Sequence, residues 1–310
     1  MSSIPYPLDP MGSKLEPCFE LTVQPGILGD SLTYGFTPYW NTGGYCKVVD
    51  WGDGSNEDAV TSGALITHTY AVAGTYIIRI KTDCYRVHFG AEPYRTLLYD
   101  SNGNWDALGN ITTGKSMFSS CINAVFNFSE LPKGITNADS MFDSCKKATF
   151  TFTSLPDGII NANYMFSGCS NAQLPLTSLP AGLTNGSYMF YNCTNATLPL
   201  TSLPDGITNA NAMFSGCSNA QLPLTSLPDG ITNANAMFSG CKKAVINLDD
   251  LTANAPEGGW TNITSIESMF RNAGSGNSPG TVTGSRSAFL AKFPNVTNTT
   301  NAFYGTNTTE

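Results

Sequence analysis

Cysteine and histidine are the side chains here with the strongest claim to nucleophilic or metal chemistry, and the 310-residue chain holds nine and two of them. Six of the cysteines, Cys121, Cys145, Cys169, Cys193, Cys217 and Cys241, recur at intervals of 24 residues. A thiolate nucleophile needs a neighbouring base, and a zinc site needs a compact ligand set. Neither histidine, His68 or His88, lies in the cysteine-bearing stretch. The even spacing therefore reads as one position of a repeat seen six times, a small apolar thiol packed on its own copies. Ala273 stands at the equivalent place in a late copy, which suits packing and not ligation. Cys18, Cys46 and Cys84 are too few and too scattered for a zinc site. A Cys18–Cys84 or Cys46–Cys84 bridge suits an oxidising location; three reduced thiols suit any other.

The remaining chemistry is sparse. No nucleophile elbow and no phosphate-cradling glycine loop is present. Asp50, Asp53, Glu57 and Asp58 lie close together, and calcium prefers oxygen-rich loops, so Asp50 and Asp53 form a weak calcium candidate. Their spacing is not that of an EF-hand loop, and Asp53-Gly54 reads better as a tight turn between strands. The expectation is a protein that is not an enzyme and needs no cofactor. Charged residues make up only 12% of the chain and the net charge is −8. That balance argues against nucleic-acid binding, which needs basic stripes. No stretch approaches the roughly 20 apolar residues of a membrane-spanning helix.

The elements that position these residues follow from the repeat. Met-Phe recurs at 117, 141, 165, 189, 213 and 237, again at 269 after an insertion at 253–260, and in degraded form near Phe303. A 24-residue unit cannot bury its own apolar face, so it must stack into a solenoid. Leu174, Leu176 and Leu179 have the pattern of a short strand entering a turn, and Leu-Pro-Asp-Gly supplies turn chemistry. The Asn-Ala-Asn-Ala-Met-Phe-Ser-Gly-Cys segment predicts one or two helical turns, with Asn as N-cap and Met and Cys four apart on one face. Pro175, Pro199 and Pro223 interrupt the strand position in three successive units, so strands there must be very short or irregular. The exposed side then carries Gln173, Thr177, Thr197, Thr201, Gln221 and Thr225, a neutral row taken as the candidate ligand-binding surface. Trp260, in the insertion, joins it as an aromatic platform or else packs on the last coil.

Before the repeats the grammar changes. Residues 18–88 alternate apolar runs with turn signals, as a small β-sandwich would. Residues 1–17 are Pro-rich and read as an extended arm, and residues 89–116 as the cap of the first coil. Residues 117–310 are the solenoid, with degenerate coils at its end. The N-terminal methionine is followed by no basic or apolar signal segment, so export by a secretory signal is not expected.

Two resemblances add to this. Val49-Asp50-Trp51-Gly52-Asp53-Gly54-Ser55, followed by His68-Thr69-Tyr70 and Ala73-Gly74-Thr75-Tyr76, resembles a PKD domain, which implies an immunoglobulin-like sandwich in an adhesive or spacer role. Met-Phe-x-x-Cys followed by a Leu-x-Leu-x-x-Leu strand is similar to the BspA-type leucine-rich repeats of microbial surface proteins. The expected fold is thus mostly β: an immunoglobulin-like sandwich followed by a solenoid of short strands and short helices. The expected function is that of a tailed-phage virion surface protein, a capsid decoration, head fibre or tail adhesin. Its arm and sandwich would dock on other virion proteins. Its repeats would bind a host-surface or mucosal glycan or protein, with homo-oligomers compatible. The alternative is a bacterial cell-surface adhesin whose export signal is missing from the sequence.

Overall fold

The computed structural model describes residues 18–57, 60–90, 98–196, 198–220, 222–276 and 280–306. The arm expected at 1–17, together with Asp58, Thr197 and Gln221, lies outside them. The chain is mostly β with few helices, and among the described residues no closed barrel forms. Its strands are β1 (Phe19–Val23), β2 (Thr33–Tyr39), β3 (Cys46–Asp50), β4 (Ile66–Thr69), β5 (Tyr76–Thr82), β6 (Arg86–His88), β7 (Leu98–Gly103), β8 (Val125–Phe126), β9 (Thr149–Phe150), β10 (Val245–Asn247) and β11 (Thr281–Thr283). Two short helices, α1 (Leu248–Ala253) and α2 (Arg286–Leu290), lie in the last third, and a 3-10 turn spans Trp105–Leu108. Among the described residues no helix is long and apolar enough to cross a membrane.

The N-terminal strands form because apolar residues alternate with polar ones. Phe19, Leu21 and Val23 of β1 all point inward and are fully buried. β1 pairs antiparallel with β5 on one side and with β7 on the other. β7 then pairs in parallel with β8, and β8 with β9, so one six-stranded sheet, β3-β5-β1-β7-β8-β9, passes from the N-terminal unit into the repeats. A second sheet, β4-β2-β6, brings Phe36 against Trp51 and Phe89. Phe89 in turn stacks on Phe19 and on Phe118 of the first repeat. The N-terminal unit and the repeats thus share one apolar core as well as one sheet.

Within the repeats, each coil hydrogen-bonds to the next in a register of 24 residues, shown by Asn137↔Asn161, Asn161↔Asn185, Asn185↔Asn209 and Asn209↔Asn233. The segment around each Met-Phe is not the helix expected from the sequence. The N–H groups of Gly114, Ser116, Phe118 and Ser120 donate across to the carbonyls of Asn137, Asp139, Met141 and Asp143 in the next coil. Those of Met117, Ser119 and Cys121 turn back to the carbonyl three residues earlier. This alternation comes from left-handed residues at fixed places, such as Ser116 (φ 53°) and Ser120 (φ 61°). In a helix every N–H points the same way along the axis. Here every second one is turned sideways and stitches the stack together. The asparagine expected as a helix N-cap therefore caps no helix: Asn161 Oδ1 accepts the N–H of Asn163 within a turn, and Asn161 Nδ2 donates to Asn137 Oδ1 one coil back.

On the opposite side the backbone ladder is broken by proline. Asn127 N–H donates to Ser101 O, and Thr151 N–H, one repeat later, to Phe126 O. The next equivalents of this donor are Pro175, Pro199 and Pro223, which have no N–H. Regular strand therefore stops after β9 and returns only at β10, which pairs in parallel with β11. Between them the coils are held by the Met-Phe segment and by side-chain packing. Phe118, Phe142, Phe166, Phe190, Phe214, Phe238 and Phe270 form a continuous column with centroids 5.4–5.9 Å apart and ring planes within 3–10° of parallel.

Candidate functional site

The six repeat cysteines line this core. All are fully buried, and from Cys145 onward each S–H donates to the carbonyl of the phenylalanine in the preceding coil, as in Cys193 Sγ to Phe166 O at 3.0 Å. Burial pushes the thiols of Cys145, Cys169, Cys193 and Cys241 well above their ordinary range, so they stay protonated donors. Cys46 and Cys84 are buried free thiols too, and burial raises Cys84 to about 11. Cys18 is half-buried.

Asp50 and Asp53 hold a turn together. Asp50 Oδ1 accepts the N–H groups of Gly52 and Gly54, and its Oδ2 accepts Arg79. Both of those glycines have positive φ, and a side chain on Gly52 would strike the Ile77 backbone. Asp53 accepts the backbone N–H and hydroxyl of Ser55 through Oδ1 and faces His68 Nε2 at 2.7 Å through Oδ2. Burial works against ionisation of Asp53, but the Ser55 and His68 hydrogen bonds outweigh it and hold the carboxyl at about 2. The His68 ring lies flat on Trp51, and Trp51 O accepts the Tyr70 hydroxyl. The carboxylates expected as a calcium candidate are committed to protein donors, and among the described residues no group of three or more metal-ligating side chains converges.

The neutral row lies where the register of 24 residues puts it. Gln173, Thr177, Thr201 and Thr225 are exposed on the proline-bearing segments, and Thr177, Thr201 and Thr225 occupy one column of adjacent coils. The Thr225 end is partly covered, since Asn254 from the insertion donates to Thr225 O. Trp260 does not belong to this surface. It is fully buried, stacked on Phe293 at 4.9 Å, and its Nε1–H donates to Pro228 O. The insertion turns it inward onto Phe289 and Phe293, so Trp260 offers no platform to solvent. A cleft of about 410 Å³ runs along the Leu-Pro-Asp-Gly turns, between Glu130, Lys133, Ser154, Asp157 and Ser178.

One group of side chains escaped the reading of the repeat. Tyr164 and Tyr188 stand just before Met165 and Met189, where other coils carry Ser116, Ser140, Ala212, Ala236 and Ser268. Their rings are stacked at 4.6 Å and 5°. Tyr191 meets Tyr188 edge-on at 5.5 Å, and Asn211 Nδ2 donates to the Tyr188 hydroxyl. All three tyrosines are half-buried. The signal that could have found them is their departure from the repeat: averaging over copies hides what two copies do alone.

The architecture defines a mostly β protein built on 24-residue repeats stacked in register. The repeats match the family described as "Mycoplasma protein of unknown function, DUF285", over residues 114–227 and 184–309, and the chain belongs to that family. No PKD domain and no leucine-rich-repeat family is detected, which overturns both resemblances drawn from the motifs. Trp51-Gly52-Asp53-Gly54 and His68-Thr69-Tyr70 build a local turn and its packing, which short motifs can do without the family. No curated protein and no solved structure matches the chain.

Proposed function

We propose that this chain is a non-enzymatic binding protein displayed at a surface, in which a stiff stack of repeats holds a neutral lateral face away from its carrier. The observation that supports this reading is the unbroken join of sheet and core from β1 through β9, continued by the phenylalanine column to Phe270. A hinge at that join would need a break in both, and stiffness suits a spacer. The finer fold belongs to the same proposal: the coils form a solenoid capped at its start by residues 89–116, and the strands before them an immunoglobulin-like β-sandwich. Small-angle X-ray scattering on the purified chain tests it. A rod-like profile is the expected result, and a globular one excludes a spacer.

The proposed place of display is a tailed-phage particle, as capsid decoration, head fibre or tail adhesin, with the repeats turned to a host-surface or mucosal glycan or protein. The neutral, threonine-bearing coil surface favours polyhydroxylated ligands over nucleic acid, which the net charge of −8 repels. A second reading, display on a bacterial cell, is favoured by the family description, which refers to Mycoplasma. Quantitative mass spectrometry of density-purified particles separates the two. A fixed ratio to the major capsid protein supports the virion, and recovery in the cell envelope alone supports the second reading.

A further inference from the structure

The tyrosine pair is not required by the coil. The position before each Met is left-handed in every coil, with φ 53° at Tyr164 and 55° at Tyr188. Serine or alanine fills it elsewhere, and a bulky aromatic is an uncommon occupant of that conformation. Something other than the backbone therefore selects tyrosine in these two coils. The 4.6 Å ring spacing is close to the spacing of hydrogen-bonded strands, so the rings stack in step with their coils. One face of Tyr164 is covered by Tyr188. The other looks along the axis toward the preceding coil, where the same position is Ser140.

Its rim is polar and acidic. Ser140 Oγ and Asn163 Nδ2 both donate to Asp139 Oδ1, and Lys115 pairs with Asp139 Oδ2 at 3.1 Å. Asp143 Oδ2 accepts the Ser144 hydroxyl. Asp143 and Asp139 lie close enough to Tyr164 for their charges to raise its hydroxyl, after burial and the neighbouring tyrosines. A flat aromatic face matches the C–H face of a sugar ring, and the carboxylates at the rim, each already holding a protein donor, keep lone pairs to accept a sugar hydroxyl as well.

We propose that the free face of Tyr164, over Ser140 and beside Asp139, Asp143 and Asn163, is a subsite for one ring of a neutral saccharide, with Tyr188 and Tyr191 backing the platform. Lys115 offsets the charge of Asp139, and Asp143 leaves the rim net acidic, which disfavours sialic and uronic acids, so the class is neutral hexoses and N-acetylhexosamines. This inference rests on the reading of the chain as a surface binding protein whose ligand is a glycan.

The test uses the full chain on an array of neutral, sialylated and uronic-acid oligosaccharides, followed by titration of the best neutral glycan. Tyr164→Ala reproduces the residue of the Ala212 and Ala236 coils, so it is expected to fold, and unchanged circular dichroism checks this. Wild type should bind neutral glycans, Tyr164→Ala should weaken binding about tenfold or more, and Tyr164→Phe should retain it within about threefold, because the ring face carries the contact. Equal binding by wild type and Tyr164→Ala would overturn the site while leaving glycan binding intact. Binding confined to acidic glycans overturns the ligand class. No glycan binding overturns the subsite, and adhesion of the same preparation to host cells then shows whether the broader binding role survives without it.

Discussion

Removing one ring from the phenylalanine column tests how the stack is held. Phe190 is fully buried and lies parallel to Phe166 at 5.8 Å and to Phe214 at 5.6 Å. Phe190→Ala loses the transfer energy of the ring and leaves a cavity, for about 3–5 kcal/mol in total. Each lost ring pair accounts for about 0.5–1.5 kcal/mol of that. The informative quantity is the coupling. The Phe190–Phe214 contact is lost in each single variant but only once in the double, so Phe190→Ala/Phe214→Ala should cost less than the sum by about 0.5–1.5 kcal/mol. Phe142 and Phe238 touch different neighbours several coils apart, and their losses should add to within about 0.5 kcal/mol. Equilibrium urea unfolding measures all of these, and hydrogen exchange should show protection falling first in the coils flanking the substitution. A Phe190→Ala cost below about 1 kcal/mol would refute the column as a main source of stability. Coupling between Phe142 and Phe238 as strong as between Phe190 and Phe214 would refute nearest-neighbour stacking.

Three further outcomes follow from the same packing. Eight of the nine thiols are buried, so under mildly alkaline native conditions a thiol reagent should label Cys18 alone quickly, and the others only on unfolding; rapid native labelling of Cys193 would show that the coils open. Asp53 titrates at about 2 when folded against 3.8 as a free side chain, so its stabilisation is fully present above 3.8 and is lost as the pH falls toward 2. Asp53→Asn should flatten that limb of the stability–pH profile, and an unchanged limb would assign acid sensitivity elsewhere. Trp260→Phe removes the donor to Pro228 O and should cost about 1–3 kcal/mol in urea unfolding while leaving ligand binding unchanged, since the ring is buried; a loss of binding without a loss of stability would contradict its role as closing aromatic.

The repeat, its register and its buried positions were legible because a fixed 24-residue period leaves one way to bury Met, Phe and Cys together. The conformation of the Met-Phe segment was not. Apolar residues four apart fit a helical turn, but they fit equally a run of turns with left-handed residues at every fourth place, and only the carbonyls of the neighbouring coil decide between them. β7 was hidden for a related reason. Asp100-Ser101-Asn102-Gly103 has little strand propensity, and its pairing with β1 and β8 supplies what the residues do not. Trp260 had two readings in the sequence, and burial against Phe293 selects the packing one.

Proline on one face and tyrosine on the other make sense together. A stack tied only by a strand ladder would not tolerate Pro175, Pro199 and Pro223 in successive coils, since each deletes the same donor. It tolerates them here because the Met-Phe segments supply alternate cross-coil bonds in those very coils, as in Gly168 N–H to Tyr191 O and Gly216 N–H to Ser239 O, and because the thiols add a further bond per coil to phenylalanine carbonyls. The proline face is thereby released from holding the stack and can vary with little structural cost. The Met-Phe face has no such freedom in its backbone, where its left-handed positions are fixed. A large side chain at those positions must therefore find its room beyond the ladder, and Tyr164 and Tyr188 do so as a stacked, half-buried pair. The division of labour between the two faces sets the backbone geometry repeated in every coil on the same side as the side chains that differ most between coils.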